Sequence, residues 1–200
     1  MSDTRLICIV DDDARVRDSL ALMLGLQGHD CRCYDGAESF LAAPPDRPAC
    51  LILDLRMAGM DGLALQQKVQ SLAQGHQVIF LTAYADTEVM RQAFIDHAVD
   101  FLEKPVQPER LTRALDTAFA RLQETSRHSQ WQQRLERLTP REHDVYQAIV
   151  QGLSHREVGE RLNISPRTVE VHKARIMDKL GVTTLAELLR LSLAAGATPD

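Results

Sequence analysis

Five short strand-like runs alternate with helical patterns over the first 105 residues, and this alternation restricts the fold more than any other feature. Most of the runs are continuously apolar, which is typical of strands buried on both faces of a parallel sheet. The predicted strands are Leu6–Val10, Asp30–Tyr34, Cys50–Leu53, Val78–Leu81 and Val99–Leu102. We therefore predict an α/β fold with a doubly wound five-stranded parallel sheet, and we expect the strand order 2-1-3-4-5 by analogy at the level of the fold.

Helical patterns lie between the predicted strands, where a doubly wound sheet needs its crossovers. Ala14–Gln27 repeats apolar residues at helical spacing and is closed by Gly28. Asp35, with Glu38 three residues later, predicts a capping box for a short helix through Leu41. The other predicted helices are Leu63–Leu72 and Thr87–Ile95.

Acidic side chains follow the first and third strands at the points where those strands end. Asp11 and Asp12 come directly after Val10, and Asp54 comes directly after Leu53. Because ligands of open α/β sheets gather at the carboxyl ends of the strands, we expect these carboxylates to share one pocket. Like charges at such a range need a compensating cation. Mg²⁺, a hard ion that takes oxygen ligands, is the predicted cofactor.

A hydroxyl group and an ammonium group follow the fourth and fifth strands. These groups belong to Thr82 and Lys104. A carboxylate nucleophile, a metal ion, a hydroxyl donor and a lysine together suit phosphoryl transfer, because they neutralise and hold the phosphoryl oxygens. Either residue alone would be unremarkable at a protein surface, but the whole set at strand ends argues against a purely structural role.

Composition excludes several other classes of protein. No apolar run approaches the about 20 residues that a membrane span requires, and residues 1–5 lack the apolar core of a signal peptide, so we expect a cytoplasmic protein with no membrane partner. The four cysteines show no metal-binding spacing, and we expect all of them to be small buried apolar residues in a reducing cytosol. They are Cys8, Cys31, Cys33 and Cys50.

The chain after Pro108 has only helical patterns. Apolar residues share one helical face as far as Leu122, and no glycine or proline follows before Pro140. Residues 123–136 are therefore either a stiff helical linker or a flexible hinge. Net negative charge is concentrated in the first 120 residues, which indicates two units with different partners.

Residues 137–200 predict an all-α domain of four short helices, because helix-capping residues recur along them. The predicted starts are Thr139-Pro140, Ser154-His155, Ser165-Pro166 and Thr184-Leu185. A tight turn at Leu162-Asn163-Ile164, in which Asn163 can take the left-handed conformation, joins the second helix to the third. This pair has helix-turn-helix form.

The strand-end motifs resemble those of a bacterial two-component receiver domain, over residues 1–122. The motifs are Val10-Asp11-Asp12-Asp13, Leu53-Asp54-Leu55-Arg56-Met57, Gly59-Met60-Asp61-Gly62, Leu81-Thr82-Ala83 and Glu103-Lys104-Pro105. The resemblance implies that Asp54 accepts a phosphoryl group from the phosphohistidine of a sensor histidine kinase. Two positions depart from the usual pattern: Ala58 stands where proline is usual, and His97 where glycine is usual.

The same resemblance implies a metal site and a switch. Asp12, Asp54 and the backbone carbonyl of Arg56 would hold Mg²⁺, with Asp11 in support. Thr82 and Phe101 would be the switch pair, in which Thr82 moves to the phosphoryl oxygen and Phe101 turns inward. Lys104 would pair with the phosphoryl group.

Residues 137–200 resemble a LuxR-type helix-turn-helix domain, so that the whole chain is similar to FixJ/NarL response regulators. The motifs are Leu138-Thr139-Pro140-Arg141-Glu142, Gly152-Leu153-Ser154, Val158-Gly159-Glu160-Arg161-Leu162 and Ser165-Pro166-Arg167-Thr168-Val169-Glu170-Val171-His172. Basic side chains of the third helix can meet phosphates, and its other exposed side chains can face base edges. The predicted DNA-binding residues are Arg167, Thr168, Glu170, Val171, His172, Lys173, Arg175 and Lys179.

These observations lead to the hypothesis of a phosphorylation-dependent transcriptional regulator that is not an enzyme, apart from slow hydrolysis of its own aspartyl phosphate. Phosphorylation would make the protein a homodimer through the predicted helix Thr87–Ile95 and the fifth strand, and the dimer would bind promoter DNA and RNA polymerase. Two alternatives remain. One is a phosphatase or phosphotransferase of the haloacid dehalogenase type, which requires a second aspartate at the position of Arg56. The other is a protein-interaction module that does not bind DNA.

Overall fold

The computed structural model describes residues 5–71, 75–83 and 97–195. The chain forms two compact units, residues 1–124 and 125–200. The predicted helix Thr87–Ile95 lies outside the described residues. Among the residues described, no helix is long and apolar enough to cross a membrane.

The first unit contains one five-stranded parallel sheet. Its strands are β1 (Leu6–Val10), β2 (Asp30–Tyr34), β3 (Cys50–Asp54), β4 (Gln77–Thr82) and β5 (Asp100–Glu103). Their order is β2-β1-β3-β4-β5, which confirms the predicted topology. Val10 lies opposite Leu53, and Thr82 lies opposite Glu103. The register therefore brings the ends of β1, β3, β4 and β5 to one edge of the sheet.

Helices cover both faces of this sheet. Alternate residues of each strand point to opposite faces, so that both faces carry apolar side chains that need a cover. Leu6 and Cys8 illustrate one face, and Ile7 and Ile9 the other. In the described part of the chain, the helices that cover the sheet are α1 (Ala14–Leu26), α2 (Ala37–Ala42), α3 (Gly62–Ser71) and α4 (Pro108–Leu135). The covering residues include Phe40, Leu65 and Val69 on the first face, and Leu20, Leu24, Leu111 and Leu115 on the second.

Two local expectations for the first unit are wrong. The N-cap of α2 is Gly36, with no side-chain hydrogen bond, so Asp35 and Glu38 do not form a capping box. Glu38 accepts a hydrogen bond from the backbone of Met60 instead. Cys33 is exposed and Cys31 is half-buried rather than buried, and both lie on β2, an edge strand of the sheet.

His97 has a left-handed backbone with φ 61°. A side chain at such a φ costs about 1 kcal/mol relative to glycine. This cost gives a physical reason for the glycine that receiver domains usually carry at the position.

The long helix α4 includes nearly all of the segment 123–136, which the sequence left open between helix and hinge. Leu115 and Phe119 pack into the core of the first unit. Farther along the helix, Trp131 is 4% exposed and packs into the core of the second unit. Trp131 is the only tryptophan of the chain, so its fluorescence reports on the second unit alone.

The second unit is built from four further helices that begin at the predicted caps. They are α5 (Pro140–Val150), α6 (His155–Leu162), α7 (Pro166–Leu180) and α8 (Leu185–Ala194). Each cap accepts a hydrogen bond from the backbone N–H three residues later, and the caps are Thr139, Ser154, Ser165 and Thr184. The all-α architecture is therefore as predicted.

A close backbone approach at Gly159 shapes the turn between α6 and α7. Asn163 ends α6 in the left-handed conformation, with φ 54°, as predicted. A Cβ atom on Gly159 would lie 2.7 Å from the carbonyl oxygen of Ile164. The turn can fold back onto α6 because no side chain stands there.

A buried carboxylate ties α5 to α7. Glu142 is 3% exposed, and its Oε2 accepts hydrogen bonds from the Thr139 backbone at 2.8 Å and from Lys179 Nζ at 2.6 Å. The hydrogen bond from Lys179, and next the one from the Thr139 backbone, lower the pKa of Glu142 from 4.5 to about 2. Glu142 thus caps one helix and holds another.

The substitution Gly159→Ala tests the turn. We expect it to lower the free energy of unfolding of the second unit by about 2 kcal/mol, because the added methyl group overlaps the Ile164 carbonyl oxygen. Denaturation followed by Trp131 fluorescence measures the effect. As a control, Gly25→Ala adds a methyl group with nothing within 4 Å in α1, and calorimetry should find that protein at least as stable as the parent. Equal stability of parent and Gly159→Ala would contradict the prediction.

The substitution Glu142→Gln tests the buried carboxylate. At neutral pH we expect a loss of about 2 kcal/mol, because a charge-assisted hydrogen bond disappears and Lys179 loses its anion. The folded pKa is depressed, so the stabilisation is complete above pH 4.5 and is lost as the pH falls toward 2.

Denaturation followed by Trp131 fluorescence should therefore give parent and Glu142→Gln curves that converge as the pH falls through that window. The exposed Glu136 provides the control substitution, Glu136→Gln, which should follow the parent throughout. A gap between parent and Glu142→Gln that did not change with pH would contradict the assignment of the effect to the charge of Glu142.

Candidate functional site

Three carboxylates meet at the carboxyl edge of the sheet, as the sequence predicts. Asp11 follows the last residue of β1, Asp12 comes next, and Asp54 is the last residue of β3. One oxygen from each lies within 4.8 Å of the others. Asp11 and Asp54 are buried, whereas Asp12 is exposed. The site therefore opens to solvent on the side of Asp12.

Lys104 supplies positive charge to this pocket from the end of β5. Its Nζ lies 2.6 Å from Asp11 Oδ2 and 3.3 Å from Asp54 Oδ1. Burial lowers the pKa of Lys104, but the hydrogen bond and charge of Asp11, with those of Asp54, outweigh burial and raise it. Burial raises the pKa of Asp54, and the charge of Lys104 offsets part of that rise. Lys104 thus stays charged and stabilises both carboxylates.

The oxygen atoms of this pocket suit a small divalent cation. Mg²⁺ binds oxygens at about 2.1 Å, so oxygens on opposite sides of the ion lie about 4 Å apart. The carboxylate oxygens of Asp11, Asp12 and Asp54 lie within a comparable span of 4.8 Å. Asp11 already accepts hydrogen bonds on both oxygens, from Lys104 and from the Asp13 backbone. Asp12, which is exposed and accepts from the Ala58 backbone, is therefore a freer ligand than Asp11.

Thr82 and Phe101, the predicted switch pair, lie on the neighbouring strands β4 and β5. Thr82 is the last residue of β4, and its carbonyl oxygen accepts a 2.7 Å hydrogen bond from the Lys104 backbone. The Phe101 ring is buried, with its centroid 5.8 Å from that of Phe80. Both side chains lie close to the end of the sheet that carries Asp54.

Three contacts around the pocket were missed by the sequence reasoning. Arg17 Nη1 donates to the Asp11 carbonyl oxygen at 2.6 Å, and the Ala58 N–H donates to Asp12 Oδ2 at 3.0 Å. Glu38 accepts from the Met60 N–H at 3.2 Å. Only Ala58 carried a signal, since a proline at that position would have had no N–H to donate.

The third helix of the second unit, α7, presents a mixed polar surface. Val169, Ile176 and Leu180 are buried. Val171 is 47% exposed. The exposed residues of the predicted set are Arg167, Glu170, Val171 and Arg175, and the half-buried ones are Thr168, His172, Lys173 and Lys179.

Some of the predicted DNA-binding side chains already have protein partners. Lys179 Nζ is bound to Glu142 and to the Arg137 carbonyl oxygen, so it holds the domain together. The Thr168 hydroxyl lies 2.8 Å from that of Ser165. The predicted set is thus not uniform: four of its members are exposed, whereas Lys179 is occupied by protein partners.

Both units match known families. Residues 7–116 match the family described as response regulator receiver domain, and residues 136–192 match the family described as bacterial regulatory proteins, luxR family. These two matches argue against the phosphatase alternative.

Relatives resemble the chain over nearly its full length. The transcriptional regulatory protein FixJ of Bradyrhizobium diazoefficiens is 34% identical over 199 residues, which cover 97% of each chain. FixJ of Rhizobium meliloti is 38% identical over 197 residues, covering 96% of this chain and 97% of the relative.

Solved structures of response regulators also resemble the chain over nearly its full length. The response regulator StyR is 33% identical with a TM-score of 0.72, and the match covers 95% of this chain and 98% of StyR. Full-length FixJ from B. japonicum is 33% identical with a TM-score of 0.58, and the match covers 97% and 98%. With a receiver domain, a LuxR-type domain and FixJ relatives that match over nearly their full length, the chain belongs to the two-component response regulators of the FixJ type and is a phosphorylation-dependent, DNA-binding transcriptional regulator.

Proposed function

We propose that Asp54 is the phosphoacceptor of this regulator, and that Asp12, Asp54 and the Arg56 carbonyl hold Mg²⁺ with Asp11 in support. The observation that carries the proposal is the position of the Asp54 carboxylate, at a strand end, 3.3 Å from the Lys104 ammonium and within 4.8 Å of two more carboxylates. Bound Mg²⁺ would neutralise charge on the transferring phosphoryl group.

The transfer step follows from these positions. An Asp54 oxygen forms a bond to phosphorus while the N–P bond of the phosphohistidine of a sensor histidine kinase breaks, and the imidazole leaves. Lys104, already beside Asp54, pairs with a phosphoryl oxygen. Thr82 donates a hydrogen bond from its hydroxyl group to another phosphoryl oxygen. Phe101 is the second residue of the same switch. Slow hydrolysis of the aspartyl phosphate would reset the protein.

Phosphorylation then changes the assembly of the protein. The added phosphoryl charge draws Thr82 toward it and repacks the neighbouring surface of β5. We propose that this surface, with the segment of the predicted helix Thr87–Ile95, forms a homodimer. Two DNA-binding units then engage two half-sites of promoter DNA. RNA polymerase is the expected further partner.

The DNA surface of the proposal is the solvent-facing part of α7. Arg167, Lys173 and Arg175 would contact phosphates, and Glu170 and Val171 would face base edges. Thr168 and His172 lie among them on the same helix. Lys179 is a weaker candidate, because its ammonium group is bound to Glu142.

The substitution Asp54→Asn tests the phosphoacceptor. With acetyl phosphate and Mg²⁺, we expect the parent to change from monomer to dimer in light scattering and to bind DNA more tightly, whereas Asp54→Asn should do neither. Asp46→Asn removes the same charge from an exposed loop residue before β3 and should behave like the parent. A dimer formed by Asp54→Asn in response to acetyl phosphate would contradict the proposal.

Substitutions on α7 test the DNA surface. We expect Arg167→Ala or Arg175→Ala to weaken binding to all sequences and to reduce the salt dependence by about one phosphate contact. Glu170→Ala or Val171→Ala should instead change which bases are preferred. Binding is measured by mobility shift on a fragment selected from random DNA by the phosphorylated parent. Arg190→Ala, on α8, is the matched control; an equal loss there would contradict the assignment to α7.

A further inference from the structure

The loop that joins β3 to α3 is held by two carboxylates from different elements. It runs from Leu55 to Asp61 and carries the Arg56 carbonyl. The Ala58 N–H donates to Asp12 Oδ2 at 3.0 Å, and the Met60 N–H donates to Glu38 Oε1 at 3.2 Å. The loop is therefore fixed at two points between its ends.

Its base is also closed. The Gly62 N–H donates to the Leu55 carbonyl oxygen at 3.0 Å. The Asp61 carboxylate accepts from the Ala64 N–H at 2.8 Å, at the start of α3. Because both ends of the loop are fixed in this way, its middle is held by the hydrogen bonds at Ala58 and Met60 together with the packing of the Met60 side chain against the core.

Gly59, between the two anchor points, is shaped for the approach of Glu38. Its φ is 79°, a conformation that favours glycine. A Cβ atom there would lie 2.9 Å from Glu38 Oε1. The carboxylate of Glu38 thus reaches the loop through space that any other residue at position 59 would fill.

From these contacts we infer that Glu38 is a positioning residue of the cation site, although it lies on α2 and is not a ligand. Glu38 holds the Met60 N–H, and the loop so fixed holds the Ala58 N–H against Asp12 and the Arg56 carbonyl in its place. The inference rests on the proposed function, because it takes Asp12 and Arg56 as ligands of Mg²⁺.

The expected effect is a loss of preorganisation. Without Glu38, the backbone of the loop loses its hydrogen bond at Met60 and keeps the one to Asp12, while the Met60 side chain still packs against the core. Binding of Mg²⁺ must then order the loop backbone at the expense of affinity. Removing residues that orient metal ligands lowers affinity by about 10–100-fold. Glu38 acts through two intervening residues, so we expect about a tenfold loss, at the lower end of that range.

The test compares the parent with Glu38→Ala, Glu38→Gln and Asp46→Ala. Mg²⁺ affinity is measured by isothermal titration calorimetry on the full chain. Hydrogen exchange of the peptide that contains Ala58 and Met60 is measured without Mg²⁺, and thermal melting checks that each variant folds. Asp46 is the charge-matched control, since it precedes β3 and lies at the end of that strand away from Asp54.

We expect Glu38→Ala to bind Mg²⁺ about tenfold more weakly and to exchange faster in this peptide. Glu38→Gln keeps an oxygen that can accept the Met60 hydrogen bond. The Mg²⁺ affinity of this variant should stay within about threefold of the parent's. A change of that size is smaller than the loss of one ordinary hydrogen bond would cause. Asp46→Ala should match the parent in both measurements.

Two results would overturn the inference alone. If Glu38→Gln lost as much affinity as Glu38→Ala, Glu38 would act through its charge and not by positioning the loop. If Glu38→Ala bound Mg²⁺ as the parent does, no positioning would be needed. A parent that bound no Mg²⁺ would overturn the proposed cation site as well, so the two failures are distinguishable.

Discussion

The ammonium group of Lys104 is the interaction on which the acidic site depends. It lies 2.6 Å from Asp11 and 3.3 Å from Asp54, both of which are nearly buried. Carboxylates so close together in a partly desolvated site repel one another strongly when ionised. One ammonium group among the three carboxylates of Asp11, Asp12 and Asp54 leaves two negative charges. A divalent cation would neutralise that remainder.

The sheet and its reactive edge could be predicted because both depend on local patterns. Buried runs identify the strands, and parallel strands bring Asp54, Thr82 and Lys104 to one edge whatever fills the loops between them. The role of Glu38 could not be predicted in this way. Its spacing from Asp35 matches a capping box, but the Met60 N–H, 22 residues away in sequence, binds its carboxylate instead. A tertiary partner replaced the local one, and no sequence rule registers such a partner.

In the second unit, too, some features could be predicted from the sequence and others could not. Its helix starts could be predicted because a cap and its N–H donor lie within three residues of each other, as at Ser154 and Glu157. The function of Lys179 could not, because its partner Glu142 is 37 residues away on another helix. Basic residues along a helix suggest DNA contacts from sequence, but only the fold shows which of them is already paired. The number of basic residues on α7 therefore overestimates how many of them are free to contact DNA.

Three consecutive aspartates illustrate how position, rather than residue type, decides chemistry at this edge. Asp11 faces into the pocket, and both of its oxygens are taken, by Lys104 and by the Asp13 backbone. Asp12 faces solvent and gives one oxygen to the Ala58 N–H, which leaves lone pairs for a cation. Asp13 turns away and caps α1 by accepting from the Arg15 N–H at 2.9 Å. Because the strand ends and a helix begins within these three residues, identical side chains point in three directions: Asp11 pairs with Lys104, Asp12 is left open to solvent as a candidate ligand, and Asp13 caps α1.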